Sequence, residues 1–395
     1  MYKAKFKVIA FILVLIFTLV AVWGCTTTPE PTPTPKIPES LSIAAYEVGG
    51  GTYLQVAALG EGILKKFGTR VRNVPVGTAT ARLNMVRTGQ TDFGATVDHL
   101  NCQEGIYDFS NLEWGPQPIR ILYQVARQSA FTFVTRGDSG IVTGADIKGK
   151  KVAWPTASPF TQKATEAFLA FFNLTKDDVE LVEMRSIISM FQSVIDGTTD
   201  GTIMDNSGSK AYELEASPAG IHYIEVPAAD KEGWARMKAI QPIYSPINCK
   251  FGAGLSETNM KELATVPHPT YYVMEDTDEE LAYSIVKMMV ESFDEYKDIT
   301  MAMQWYVLED CVATDLPNPY HSGAIKYFKE KGVWTEQLQK NQDELVARQK
   351  ALRAYWNQVL DEAIAAGKKG KEIPAIWLEK RAERFPAFWM ETPVS

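Results

Sequence analysis

Apolar positions along the chain fall into blocks of different period. Behind Lys3, Lys5 and Lys7 lies an apolar run from Val8 to Trp23, sixteen residues long. That is short for a membrane span and suits a secretory signal. From Thr26 to Ser40 the pattern vanishes, and prolines recur at 29, 31, 33, 35 and 38. Such spacing favours an extended chain, reaching about 40–50 Å at roughly 3 Å per residue. A short strand-like run then opens the folded body, "LSIAA" (Leu41–Ala45). The stretch "YEVGGGTYLQV" (Tyr46–Val56) follows it, where glycines give way to a helical period. Strand, glycine turn and helix start form the opening of many phosphate-binding loops.

The same arrangement recurs. "KKVAWPTASPFTQKATEAFLAFF" (Lys150–Phe172) reads as strand, small-residue loop and helix, with Thr156, Ser158 and Thr161 offering hydroxyls at the helix start. A second internal echo links "MVRTGQTDFGATVDHL" (Met85–Leu100) to "SVIDGTTDGTIMDNSG" (Ser193–Gly208). Each has Gly-x-x-Asp, Gly89 to Asp92 and Gly197 to Asp200, between a helix-like run and a short strand. Glycine closes the helix and aspartate makes the turn. Each strand ends in polar residues: Asp98, His99 and Asn101 in one, Asp205, Asn206 and Ser207 in the other. Open α/β sheets bind ligands at such strand ends.

Two β-rich segments are placed to cross between the units, Ile119–Ile141 and the strand that opens His268–Phe293. The expected fold is therefore α/β, two lobes joined by two crossing strands. A helical extension follows: Leu338, Leu345, Leu352 and Val359 recur every seven residues, with Gln342, Gln349, Trp356 and Ala363 beside them. Those companions are too polar for a coiled-coil seam, so the stripe is expected to pack back onto the body. Trp377, Phe385, Phe388 and Trp389 suggest that the end is docked as well. The segments are then 1–24 signal peptide, 25–40 tether, 41–130 with 268–334 first lobe, 131–267 second lobe, and 335–395 extension.

Composition narrows the function. The 395 residues are 46% apolar, enough for a sizeable core. Removal of residues 1–24 takes away three lysines and no acid, moving the formal net charge from −8 to −11. That disfavours nucleic acid as a partner. Outside the cytoplasm nucleotides are scarce, so the glycine loop is better suited to another anion, received by the backbone N–H groups of Gly50, Gly51 and Thr52. Cys102, Cys249 and Cys311 show no zinc spacing. Either Cys249 pairs with Cys311, or all three are buried thiols. Asp98-His99-x-x-Cys102 resembles a metal cluster only superficially. No nucleophile signature accompanies the histidines, so neither enzyme nor cofactor is expected.

The chain from about Leu41 to Trp334, roughly three quarters of it, resembles the solute receptors of TRAP transporters, specifically the TAXI group. The matching pieces are "GGGTY", "VGTATARLNMVRTGQTDFGATV", "VTRGDSGIVTGADIKGKKVA" and "LPNPYHSGAIKYFKEKGVW" (Leu316–Trp334). The Gly24-Cys25 pair resembles a lipobox, which implies a lipid anchor at Cys25. The resemblance implies a type II periplasmic-binding-protein fold and capture of a small organic acid or amino acid. Delivery would be to an ion-gradient-driven permease in the membrane, and the location extracytoplasmic. The ligand-facing segments depart from the family pattern. Ala44-Ala45-Tyr46-Glu47 replaces Gly-Thr-Gly, Ala79 and Arg82 stand where serine and asparagine are usual, and Pro155–Thr161 replaces a glycine-rich loop. The family's glutamate therefore does not carry over.

Within this frame Arg82 is the candidate contact to a ligand carboxylate, since a guanidinium pairs bidentately and stays charged. Tyr53, aligned with a family tyrosine, is placed to close over the solute. Thr78 and Thr80 flank the small-residue segment; Glu47, Asp98, Asn101, Asp205 and Asn206 suit an amine or hydroxyl. Tyr46, Trp154 and Phe160 are further candidates to line the cleft. His268 and His321 are expected to be structural. The rival readings are the receptor of an ATP-driven importer and a ligand sensor or enzyme on the same fold.

Overall fold

The computed structural model describes residues 37–125, 129–312 and 316–385. The signal, Cys25, most of the tether, Phe388 and Trp389 lie outside the described residues. Twelve strands are described: β1 (Ser40–Ala45), β2 (Arg70–Pro75), β3 (Phe93–Thr96), β4 (Ile119–Gln124), β5 (Phe131–Arg136), β6 (Lys151–Pro155), β7 (Glu180–Met184), β8 (Gly201–Asp205), β9 (Ile221–Tyr223), β10 (Ser245–Cys249), β11 (Lys261–Thr265) and β12 (Thr270–Met274).

Two five-stranded sheets result, ordered β2-β1-β3-β12-β4 and β7-β6-β8-β5-β9, beside a β10-β11 hairpin. In each sheet the first three strands run parallel and the other two join by antiparallel pairing, β12 between β3 and β4 and β5 between β8 and β9. Helices Gly51–Phe67 and Ala79–Arg87 connect β1, β2 and β3, and Pro159–Phe171 and Ile187–Ile195 connect β6, β7 and β8. The two α/β lobes are built alike, which explains the internal echo.

The echoed Gly-x-x-Asp has one physical task in both lobes. Gly89 and Gly197 turn the chain at φ of +69° and +74°, conformations natural to glycine. The aspartate then ties its strand to the neighbour. Asp92 Oδ2 accepts from Ser42 N at 2.6 Å and Ser42 Oγ at 2.7 Å, and Asp200 Oδ2 accepts from Lys151 N at 2.8 Å.

The chain passes from β4 in the first sheet to β5 in the second, and returns from β11 to β12. These are the two expected crossings. The heptad stripe lies on one helix, Glu336–Ala365, whose buried residues are the four leucine and valine positions and their four companions. It packs on the body. Gln342 donates to and accepts from the Tyr320 backbone, and Gln349 accepts from Arg120 and donates to the Ile119 carbonyl. The glutamines that spoil a coiled coil thus clip the extension to backbone and side-chain groups of the first lobe. Trp377 is fully buried with its ring edge-on to Trp356, 5.1 Å between centroids. Cys102, Cys249 and Cys311 are buried thiols, so the alternative of a Cys249–Cys311 bridge does not hold. Cys249 and Cys311 sit in different cores, one in each lobe.

Candidate functional site

The ends of β1, β3 and β8 converge on a narrow cleft between the lobes that encloses about 60 Å³. The first lobe contributes Tyr46, Glu47, Gly50, Gly51, Thr52 and Asp98. The second contributes Ser158 and Thr161 at one helix start, Asp205 at a strand end, and an apolar wall of Phe131, Phe160, Ile187, Ile188 and Phe191. His268, on the returning crossing, also lines it.

Local sequence explains why these groups arrive here. The helix Gly51–Phe67 starts on Gly50 without a side-chain cap, and the first residues of that start, Gly50 to Thr52, line the cleft. The opposing helix starts on Ser158, whose hydroxyl meets Thr161 Oγ1 at 2.9 Å, with Pro159 preset in its first turn. The lobes touch at the glycine loop. Ser209 Oγ donates to the Gly49 carbonyl at 2.7 Å, and a Cβ on Gly51 would fall 2.0 Å from Asp205 Oδ2. Gly51 is needed because a carboxylate from the other lobe rests against its Cα.

That contact yields a first prediction. Gly51→Ala should push Asp205 away and disfavour the closed arrangement by about 1–3 kcal/mol, the usual range for overpacking. Solute affinity measured by calorimetry should drop accordingly, with a larger radius of gyration in small-angle scattering. Unchanged affinity would rule out Gly51 as a closure point.

The sequence profile of the NMT1-like family matches residues 43–332, well over half of the chain. The chain belongs to the NMT1-like family. No curated protein matches it by sequence. Among solved structures it is similar to the periplasmic binding protein BugD, with a TM-score of 0.50, 10% identity, and coverage of 79% of this chain and 98% of that one. The aliphatic sulphonate binding protein SsuA from Escherichia coli aligns at TM-score 0.42 and 14% identity over 82% and 94% of the two chains. An ancestral arginine-binding protein aligns at 0.42 and 14% over 69% and 100%. The fold of this NMT1-like chain is that of periplasmic binding proteins.

In this NMT1-like cleft, ten of the expected site residues come together: Tyr46, Glu47, Gly50, Gly51, Thr52, Asp98, Ser158, Phe160, Thr161 and Asp205. Eight others do not line it, Asn101 and Trp154 among them. Thr78 caps the helix Ala79–Arg87, its Oγ1 accepting from Ala81 N at 3.2 Å, and Thr80 sits in that helix's first turn. The Tyr53 carbonyl accepts from Asn73, and Thr156 Oγ1 donates to the Met184 carbonyl at 3.1 Å. Asn206 is fully buried, accepting from Ala130 N and donating to the Phe251 carbonyl, which fastens a crossing to the hairpin.

Arg82 lies beneath the cleft floor with 2% exposure. Its Nη2 donates to Asp98 Oδ2 at 3.0 Å and Nη1 to the Val76 carbonyl at 3.0 Å, while the guanidinium carbon stacks 3.8 Å from the Tyr46 ring centre. Tyr46 OH accepts from Val97 N and donates to Asp98, so one side chain of the floor is held from three directions. Burial pushes the Asp98 carboxyl up, and Arg82 pulls it back. Desolvation opposes the Arg82 charge, yet Tyr46 and Asp98 leave its pKa raised.

Sequence reasoning missed His268 as a cleft residue. Its Nε2 is 2.6 Å from Thr52 Oγ1, its ring meets Tyr46 edge-on at 5.6 Å, and desolvation with Arg82 nearby lowers its pKa to about 3. It is a neutral hydrogen-bonding group at ordinary pH. Its position between Pro267 and Pro269 on a crossing segment was the available signal. His321 instead caps the helix Ser322–Glu330, accepting from Gly323 N at 3.2 Å. Ile187, Ile188, Phe131 and Phe191 were missed too, because an apolar helix face or strand reads alike whether it meets core or cleft.

Proposed function

We propose that this protein is an extracytoplasmic solute receptor, tethered through a lipidated Cys25, that captures a small organic solute for a TRAP-type permease. By the TAXI resemblance that solute is an organic acid or an amino acid. The observation that carries the reading is a cleft assembled from equivalent strand ends and helix starts of two lobes, complete only when both are together. A solute bridging them shifts the population toward the closed form, which is the form a permease can distinguish. Nothing in this role consumes the solute or needs a cofactor.

A thermal-shift screen of organic acids, amino acids and amines on the purified protein tests it. A ligand at 100 times its Kd should add about 2.7 kcal/mol of stability by mass action. Recovery of the solute chemically unchanged is expected. Turnover of the bound compound, or no shift across the panel at millimolar concentration, would overturn the reading.

A further inference from the structure

The charges of the cleft do not match an amine-free organic acid. Among the described residues that line it there is no lysine or arginine, while Glu47, Asp98 and Asp205 all do. Asp98 is already neutralised by Arg82. Among the described residues, neither Glu47 nor Asp205 takes part in an ion pair. Asp205 is 8% exposed; its Oδ1 accepts from Ser207 N at 2.9 Å and Ser207 Oγ at 2.8 Å, and its Oδ2 rests against Gly51. Glu47 Oε1 lies against Gly77 of its own lobe, where a Cβ would fall 3.1 Å away.

The opposing compensation is limited. Each helix start supplies roughly half a positive charge. Two such poles against two carboxylates leave an excess of about one negative charge. The glycine-loop pole, where an anionic ligand group would go, already faces the protein's own Asp205 carboxylate. Beside these charges stands the wall of Phe131, Phe160, Ile187, Ile188 and Phe191, which lowers the local dielectric and strengthens any charge pairing.

We propose that the cleft selects a solute bearing an ammonium group on an apolar body, the ammonium lodging between Asp205 and Glu47 and the body against the aromatic and isoleucine wall. This rests on the solute-receptor reading and divides its two solute classes: amine-bearing compounds, amino acids included, over simple organic acids. Asp205 is the specificity-determining residue, because it is the more buried carboxylate and the one that joins the lobes.

Three probes with one apolar body separate the possibilities: phenethylamine, phenylalanine and 3-phenylpropionate, with isoamylamine, leucine and 4-methylpentanoate as an aliphatic set. Calorimetry on the wild type should show both amine-bearing members binding at least about tenfold more tightly than the acid. Asp205→Asn, isosteric and able to keep the Ser207 contacts, should weaken amine binding by about ten- to hundredfold, as expected for loss of a charged hydrogen bond. Glu47→Gln, at the half-buried rim, should show a smaller loss in the same direction. If the acids bind as tightly as the amines, or Asp205→Asn leaves the preference intact, the inference fails while the receptor reading stands. If neither these probes nor any member of the wider solute screen binds, the receptor reading itself fails.

Discussion

Arg82→Met should destabilise the protein by about 3–5 kcal/mol, the cost of leaving the other member of a buried ion pair without its partner. The prediction follows from what would remain. Asp98, 5% exposed, would keep hydrogen bonds from Thr96 and Tyr46 but lose the guanidinium 3.0 Å away. The carbonyls of Val76 and Gly77, which lead into the helix Ala79–Arg87, would lose a shared donor. Tyr46 would lose the cation under its ring, worth up to about 2 kcal/mol when desolvated. Urea denaturation measures the loss. The double variant Arg82→Met with Asp98→Asn should recover part of it, because no uncompensated charge is then buried. Were Arg82 instead a ligand contact, the single variant would unfold like wild type and lose only solute affinity. That outcome would show that the Asp98 pair contributes little.

Fold and site were legible in the sequence to different depths, for different reasons. The lobes were visible because their signals are local: Gly89 and Gly197 close helices, Asp92 and Asp200 open strands, and both strands end in polar residues. The extension was visible because a seven-residue stripe survives wherever the helix packs. The floor was not. Arg82 and Asp98 are sixteen residues apart and Tyr46 and Asp98 fifty-two, so nothing nearby distinguishes an arginine spent on its own lobe from one offered to a ligand. The same holds for Asn206, which reads as a strand-end ligand and serves as a clip between the first crossing and the β10-β11 hairpin. His268 shows the converse, a proline-flanked histidine that reads as structural and reaches the cleft only because the crossing segment forms its back wall. Local pattern locates the cleft; long-range pairing decides which polar groups remain available in it.

Glu104→Gln should loosen the C-terminal extension as a unit, at a cost of about 3–5 kcal/mol, since it withdraws the charge from two arginines packed around one buried carboxylate. Glu104 is 0% exposed. Arg348 of the long helix holds it bidentately at 2.9 and 2.9 Å, and Arg381 of the last helix donates to the same Oε2, while Trp377 Nε1 reaches the Glu104 carbonyl at 3.2 Å. Glutamine keeps the size and offers one acceptor oxygen in place of two charged ones, so bidentate pairing with Arg348 and the Arg381 contact cannot both persist. Limited trypsin digestion should then release the extension faster than in wild type, with the 37–334 body remaining longer. Glu104 closes the helix His99–Glu104, which begins immediately after Asp98. Loosening should therefore reach the cleft floor and weaken solute binding, although residue 104 does not line the cleft. Wild-type digestion kinetics in Glu104→Gln would show that the extension is held by its leucine, tryptophan and glutamine contacts, and that the buried carboxylate only organises the two arginines.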